Sequence, residues 1–273
     1  MGHNRSSTFG KVPAATAGFW VIKILATTLG EVGGNEVSMN LGLGYLAATV
    51  ILAALFLALT LVQMRARRFH PWLYWATILA STTAGTTLAD YVTRSIGIGY
   101  TGGSLVLLGL VMGSLVAWRV NVGSVSADDI ADRKSEFYYW LTITFSQTLG
   151  TALGDWFADV AGLGYAWSTV VIAAALAIIL LLHHCRAVNA VILFWAAFVL
   201  TRPLGAVFGN LFDKPAQSGG MGLSRPAILA VLFGLMAAAM WVFPQRARPH
   251  KTPAIPTPEP ARPEGEPAAL EAQ

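Results

Sequence analysis

The sequence predicts an all-α integral membrane protein: eight transmembrane helices, arranged as four tandem helical hairpins about a pseudo-fourfold axis. Three observations predict it. Of the 273 residues, 55% are hydrophobic and only 12% charged, about half the charged share of a typical soluble domain. Mostly apolar windows of roughly 18 to 23 residues, enough to cross about 30 Å of hydrocarbon at 1.5 Å per residue, recur along most of the chain. One tryptophan-to-glycine register also returns four times, the mark of an internal repeat.

Taken in order, residues 1–12 are polar and read as a cytoplasmic N-terminus. No small-residue cleavage site follows the first apolar segment, so no cleaved signal peptide is expected. "MGHNRS" fits the myristoylation pattern formally, but one acyl chain adds little to a protein held by eight spans. The predicted spans are 14–36, 45–65, 71–92, 101–118, 137–159, 165–183, 189–212 and 222–243. They fill a membrane domain over 13–244, with repeats at about 13–66, 70–119, 134–184 and 189–244. The tail from 245 to 273, rich in proline, alanine and glutamate without apolar periodicity, is expected to be disordered. "HHCR", holding the single cysteine Cys185, reads as the polar end of the sixth span rather than as a metal set.

Basic residues fall in alternate connections: Arg5 and Lys11, "RARRFH" at 65–70, Arg119 with Arg133 and Lys134, Arg186, and Arg246, Arg248 and Lys251. The positive-inside rule puts these connections and both termini in the cytoplasm. The connections near 37–44, 93–100, 160–164 and 213–224 are glycine-rich, carry only Arg94, Lys214 and Arg225 as bases, and face outward. Topology thus accounts for the net charge of +4 and gives no reason to invoke nucleic acid.

Trp20, Trp75, Trp140 and Trp195 each open an odd-numbered span after Phe19, Tyr74, Tyr139 and Phe194. Ten residues later stands a glycine in every copy (Gly30, Gly85, Gly150, Gly205), followed four further on by Gly34, Ala89, Gly154 and Gly209. Such a small-xxx-small face lets backbones approach closely inside a bilayer. "GLGY", "GIGY" and "GLGY", ending at Tyr45, Tyr100 and Tyr165, close the first three units, with glycines for a tight turn and tyrosines as interfacial anchors. Each unit crosses twice, so the repeats are parallel rather than inverted.

With "FW" at 19–20, "LYWATI" at 73–78, "FSQTLGTALGDW" at 145–156 and "FWAAFVLTRPLGA" at 194–206, the chain resembles a family of bacterial multi-pass membrane proteins. These are built of four tandem two-helix repeats, known as a repeat of unknown function with a characteristic tryptophan. The resemblance covers roughly residues 12–244 and implies the architecture, without a substrate; the expected location is the inner membrane.

Function must therefore be read from residues. The even spans hold almost nothing ionisable and read as lipid-facing. The odd spans carry polar residues seven, eleven and fifteen positions after each tryptophan, a spacing of four that lines one helical face. These are Thr27, Glu31, Asn35; Thr82, Thr86, Asp90; Gln147, Thr151, Asp155; and Arg202, Ala206, Asn210, with Lys23 nearer the inner end. Charges at such depth cost roughly 2.5 to 3.5 kcal/mol each and commonly mark a pathway. The expected function is a transporter or channel for a small inorganic cation, a divalent metal among the candidates. Asp90, Asp155, Asn35 and Asn210 would form the site, with metal ligation assigned to Asp90 and Asp155; Glu31, Gln147 and Arg202 would tune or gate it.

Two alternatives stay open: a non-transporting scaffold in which the polar face only joins helices, and an anion or small-solute transporter centred on Arg202 and Lys23. Asp159, Glu36 and Asp213 are expected at the outer mouth, and either Glu31 or Asp155 as the partner of Arg202. No enzyme is expected: HExxH is absent, "GLSR" at 222–225 lacks the rest of GxSxG, and the GxGY turns lack an aspartic protease's aspartate. No cofactor is expected either, since all five histidines lie at cytoplasmic ends, ill placed for a bis-histidine haem.

Overall fold

A computed structural model of the chain describes residues 9–127, 130 and 132–249. Eight long helices dominate: α1 (Ala17–Asn35), α2 (Gly44–Arg65), α3 (Pro71–Asp90), α4 (Gly99–Val122), α5 (Arg133–Asp155), α6 (Gly164–His184), α7 (Ala190–Asp213) and α8 (Arg225–Val242). Their starts follow local chemistry: Thr16, Asp132 and Asn189 side chains accept from first-turn amides, and Pro71 opens α3 where a missing N–H costs nothing. α1, α3 and α5 each run into five residues of π-helix, Glu36–Asn40, Tyr91–Ser95 and Trp156–Val160. The turns after them depend on left-handed glycines, Gly42 and Gly44 (φ 70° and 71°), Gly97 and Gly99, and Gly162 and Gly164.

α1, α3, α5 and α7 form a closed ring, each packed against the next and α7 against α1. The even helices lie outside it. An even helix does not pack chiefly on the odd helix that precedes it: α2 lies along α3, α4 along α5, α6 along α7, and α8 returns to α1. The predicted hairpins are thus splayed, because the glycine turns carry the chain sideways onto the next repeat.

The glycine register explains ring closure. A Cβ added at Gly30 would stand 2.5 Å from Cβ of Thr82; at Gly85, 2.9 Å from the Gln147 carbonyl carbon; at Gly150, 2.5 Å from Cβ of Arg202; at Gly205, 2.6 Å from Cβ of Thr27. In every copy the glycine of one helix receives the residue seven after the tryptophan on the next. Gly34, Gly154 and Gly209 repeat the pattern one turn on, against Thr86, Ala206 and Glu31.

Among the described residues five helices, α2, α4, α6, α7 and α8, are long and apolar enough to cross a membrane. The even helices expose large apolar side chains such as Leu57, Val106, Leu180 and Phe233, an outside compatible with lipid. Two further sequence expectations change. Residues 9–12 and 247–249, assigned to polar tails, belong to an antiparallel strand pair, β1 (Phe9–Pro13) with β2 (Ala247–Pro249); the rest of the tail lies outside the described residues. Tyr165, expected as an interfacial anchor, is buried at 4% exposure among Leu204, Val207 and Ile172.

Candidate functional site

Helical periodicity stacks the inward residues of the ring into layers four residues apart. Three, seven, eleven and fifteen positions after each tryptophan, all sixteen side chains are at most 2% exposed. The first layer is Lys23, Ile78, Ile143 and Phe198; the Lys23 Nζ lies 3.4 Å from the centroid of the Phe198 ring. Below it, toward the tryptophans, Phe19, Tyr74 and Tyr139 are fully buried, and the two tyrosine hydroxyls are 2.6 Å apart.

At the eleventh position all four helices meet on one guanidinium. Arg202 rises from the seventh position of α7, and the eleventh position of its own helix is the small Ala206, which leaves room for it. Both terminal nitrogens of Arg202 lie 3.1 Å from Oε2 of Glu31 on α1. Nη2 also donates to Thr86 Oγ1 on α3 at 2.6 Å and to Thr151 Oγ1 on α5 at 2.7 Å. Those hydroxyls in turn donate to the same Glu31 oxygen, at 3.2 and 3.1 Å. Of the two partners the sequence offered Arg202, Glu31 is the one it pairs with.

The fifteenth position forms a second layer, joined to the first where Asn210 Nδ2 donates to Glu31 Oε1 at 3.2 Å. Asn35 donates to Asn210 Oδ1 at 3.0 Å, and Asn210 lies 3.2 Å from Asp155 Oδ1. Arg94 then links the two carboxylates, Nε 2.8 Å from Asp90 Oδ1 and Nη2 3.2 Å from Asp155 Oδ2. Asn35 also reaches Asp213 Oδ2, which accepts from Arg225 Nε at 2.7 Å. The four repeat-related residues therefore converge in one hydrogen-bonded network, away from the outer surface.

Sequence reasoning missed Arg94, Asp213 and Arg225 as members of this network, having placed them at the outer mouth. Arg94 follows Asp90 by four residues, the spacing of an ion pair on one helical face, and that was the available signal. Asp159 and Glu36 do sit outside the network, Asp159 exposed and Glu36 bonded to Asn40. Gln147 reaches the ring interior, but neither side-chain polar atom has a protein hydrogen-bond partner; the same holds for Lys23 Nζ, Ser146 Oγ and Arg202 Nε. Among the described residues no cluster of three or more His, Cys, Asp or Glu could hold a metal ion. Asp90 and Asp155 with Asn35 and Asn210 offer only oxygen acceptors to a cation, a donor set suited to a hard one.

Fold and site together define a membrane-type helical protein of four parallel internal repeats, with an ion-paired polar core inside an apolar exterior. The chain belongs to the family described as Repeat of Unknown Function (DUF347), whose model matches residues 18–69, 73–122, 138–188 and 193–247, one match per repeat. Neither the curated proteins nor the solved structures gave a match.

Proposed function

We propose that this protein spans the bacterial inner membrane eight times, with both termini cytoplasmic, and carries a cation along the axis of its odd-helix ring without a catalytic step. One observation carries the reading. Two buried carboxylates from neighbouring repeats, Asp90 and Asp155, share a single side-chain cation, Arg94, whose side chain is 34% exposed.

Arg94 is a tethered stand-in for a mobile ion. Displacing it leaves two carboxylate charges and two amide oxygens, a match for a divalent cation of the hard class. The hydrogen-bonded network holds four carboxylates, Glu31, Asp90, Asp155 and Asp213, against three guanidiniums, Arg94, Arg202 and Arg225. This slight acidic excess favours a cation over an anion. Arg202 is engaged by Glu31 and two hydroxyls, which weakens the reading of an anion carrier centred there.

The scaffold reading has its own support: the glycine contacts close the ring sides, and Phe19, Tyr74 and Tyr139 fill its tryptophan end. Ion flux in proteoliposomes separates the two. Wild type is expected to pass at least one of Mg²⁺, Mn²⁺, Ca²⁺, Na⁺ and K⁺, and Asp90→Asn with Asp155→Asn to abolish that flux. Equal flux from the folded double variant would remove the aspartates from the mechanism. No flux for any cation or anion would favour the scaffold.

A further inference from the structure

The fourfold pattern of buried tryptophans fails at one of its four positions. Trp75, Trp140 and Trp195 are 1%, 3% and 5% exposed, while Trp20 is only half-buried. Its repeat position is the same, so the difference lies in what covers it.

In two of the other grooves an outer helix presses an aromatic side chain onto the tryptophan two repeats ahead. Phe56 of α2 meets Trp140, ring centroids 6.4 Å apart, and Trp118 of α4 meets Trp195 at 5.7 Å. By the same rotation α6 faces Trp20. At the repeat position of Phe56, α6 has Leu176; at that of Trp118 it has the exposed His183. Neither closes the groove, and a cavity of about 690 Å³ remains between α6, α7 and α1. Its walls include Trp20, Ile24, Leu176, Leu180, Phe194 and Ala197, with His183 at its end. That volume lies within the range of sites that hold small apolar ligands.

We propose that this groove holds an acyl chain of an anionic phospholipid from the leaflet at the tryptophan end. The apolar lining recognises the chain, and the groove's setting among lipid-compatible outer helices supplies it. Basic residues stand beside two of the groove's wall residues, His183 and Ala14. His183 and His184 close α6, Arg186 follows it, and the carbonyl of Arg246 accepts from the amide of Ala14, itself a wall residue. Cationic side chains at a membrane surface attract anionic lipid. The lipid would complete the shell around the ring where the protein has no aromatic side chain to do so. This inference rests on membrane location and not on cation transport.

The intact protein, reconstituted in phosphatidylcholine doped with a diazirine-acyl phosphatidylglycerol, is irradiated and its crosslinks mapped by mass spectrometry. Labelling is expected at Trp20, Leu176 and Leu180, several-fold above that at the outward-facing Leu57 and Val106, and reduced when the probe carries a choline headgroup. Ala177→Trp, a substitution on the exposed wall of the groove, should abolish that labelling while Leu57 and Val106 label as before. Even labelling over all outer helices would show annular lipid only and overturn the proposal. So would labelling unchanged in Ala177→Trp, or a crosslinked dimer whose contact covers Trp20. Equal labelling by both headgroups would overturn the anionic assignment. If Ala177→Trp does not fold, native mass spectrometry of wild type decides: one phosphatidylglycerol retained through delipidation supports the site, and none refutes it.

Discussion

Glu31→Gln is the most informative single change to the ring. It keeps the side-chain shape but leaves the guanidinium of Arg202, wholly buried, without its carboxylate. Removing one partner of a buried ion pair costs about 3 to 5 kcal/mol. The Thr86 and Thr151 contacts contribute less, since interhelical hydrogen bonds in membranes average about 0.6 kcal/mol, so the charge decides the outcome. Replacing both members by apolar residues of similar size, Glu31→Leu with Arg202→Met, should instead cost little, because a fully apolar pair carries no desolvation penalty. SDS-titrated unfolding in mixed micelles, followed by tryptophan fluorescence, measures both. The single variant is expected to lose at least 3 kcal/mol and the double variant to regain most of it. A single-variant loss below about 1 kcal/mol, or a double variant whose losses simply add, would refute the view that this pair ties the ring together.

Gly205→Val should destabilise by more than 1 kcal/mol, the lower bound for overpacking, since even a Cβ there meets Thr27 at 2.6 Å. Gly109→Val on α4, where nothing lies within 4 Å, should stay within about 0.5 kcal/mol; thermal melts of the two variants check the contrast. Tyr74→Phe removes one side of a 2.6 Å hydroxyl pair and should cost about 1 kcal/mol, most of it absent in a Tyr139→Phe background. In the flux assay, Arg94→Gln should raise apparent cation affinity by freeing the two carboxylates it spans; unchanged affinity would deny Arg94 the role of stand-in.

The repeat register was legible because close backbone approach imposes one requirement, no side chain, at every copy: Gly30, Gly85, Gly150 and Gly205 meet the same neighbour position. Spacing by four likewise announced the column from Thr27 to Asn35 and its three counterparts. The partner of each outer helix was not legible, because α2 and α6 are apolar on all sides and hydropathy carries no direction. Arg94 was hidden for a related reason. It lies past the end of α3, in a π-helical segment, and the sequence does not say whether such a side chain bends inward or toward solvent. The groove beside Trp20 could be read only after the rotation relating the repeats was known, since the residues that matter are those α6 lacks.

The sideways packing of the outer helices also sets a timetable for assembly. Each repeat emerging during synthesis clasps the one that follows it, so α3, α5 and α7 receive α2, α4 and α6 as soon as they appear. α1 alone must wait: its outer partner α8 is the eighth of the described helices, and Arg202, the counter-charge to Glu31, comes only one helix earlier. A chain halted after three repeats would leave Glu31 without its guanidinium and α1 without its outer helix.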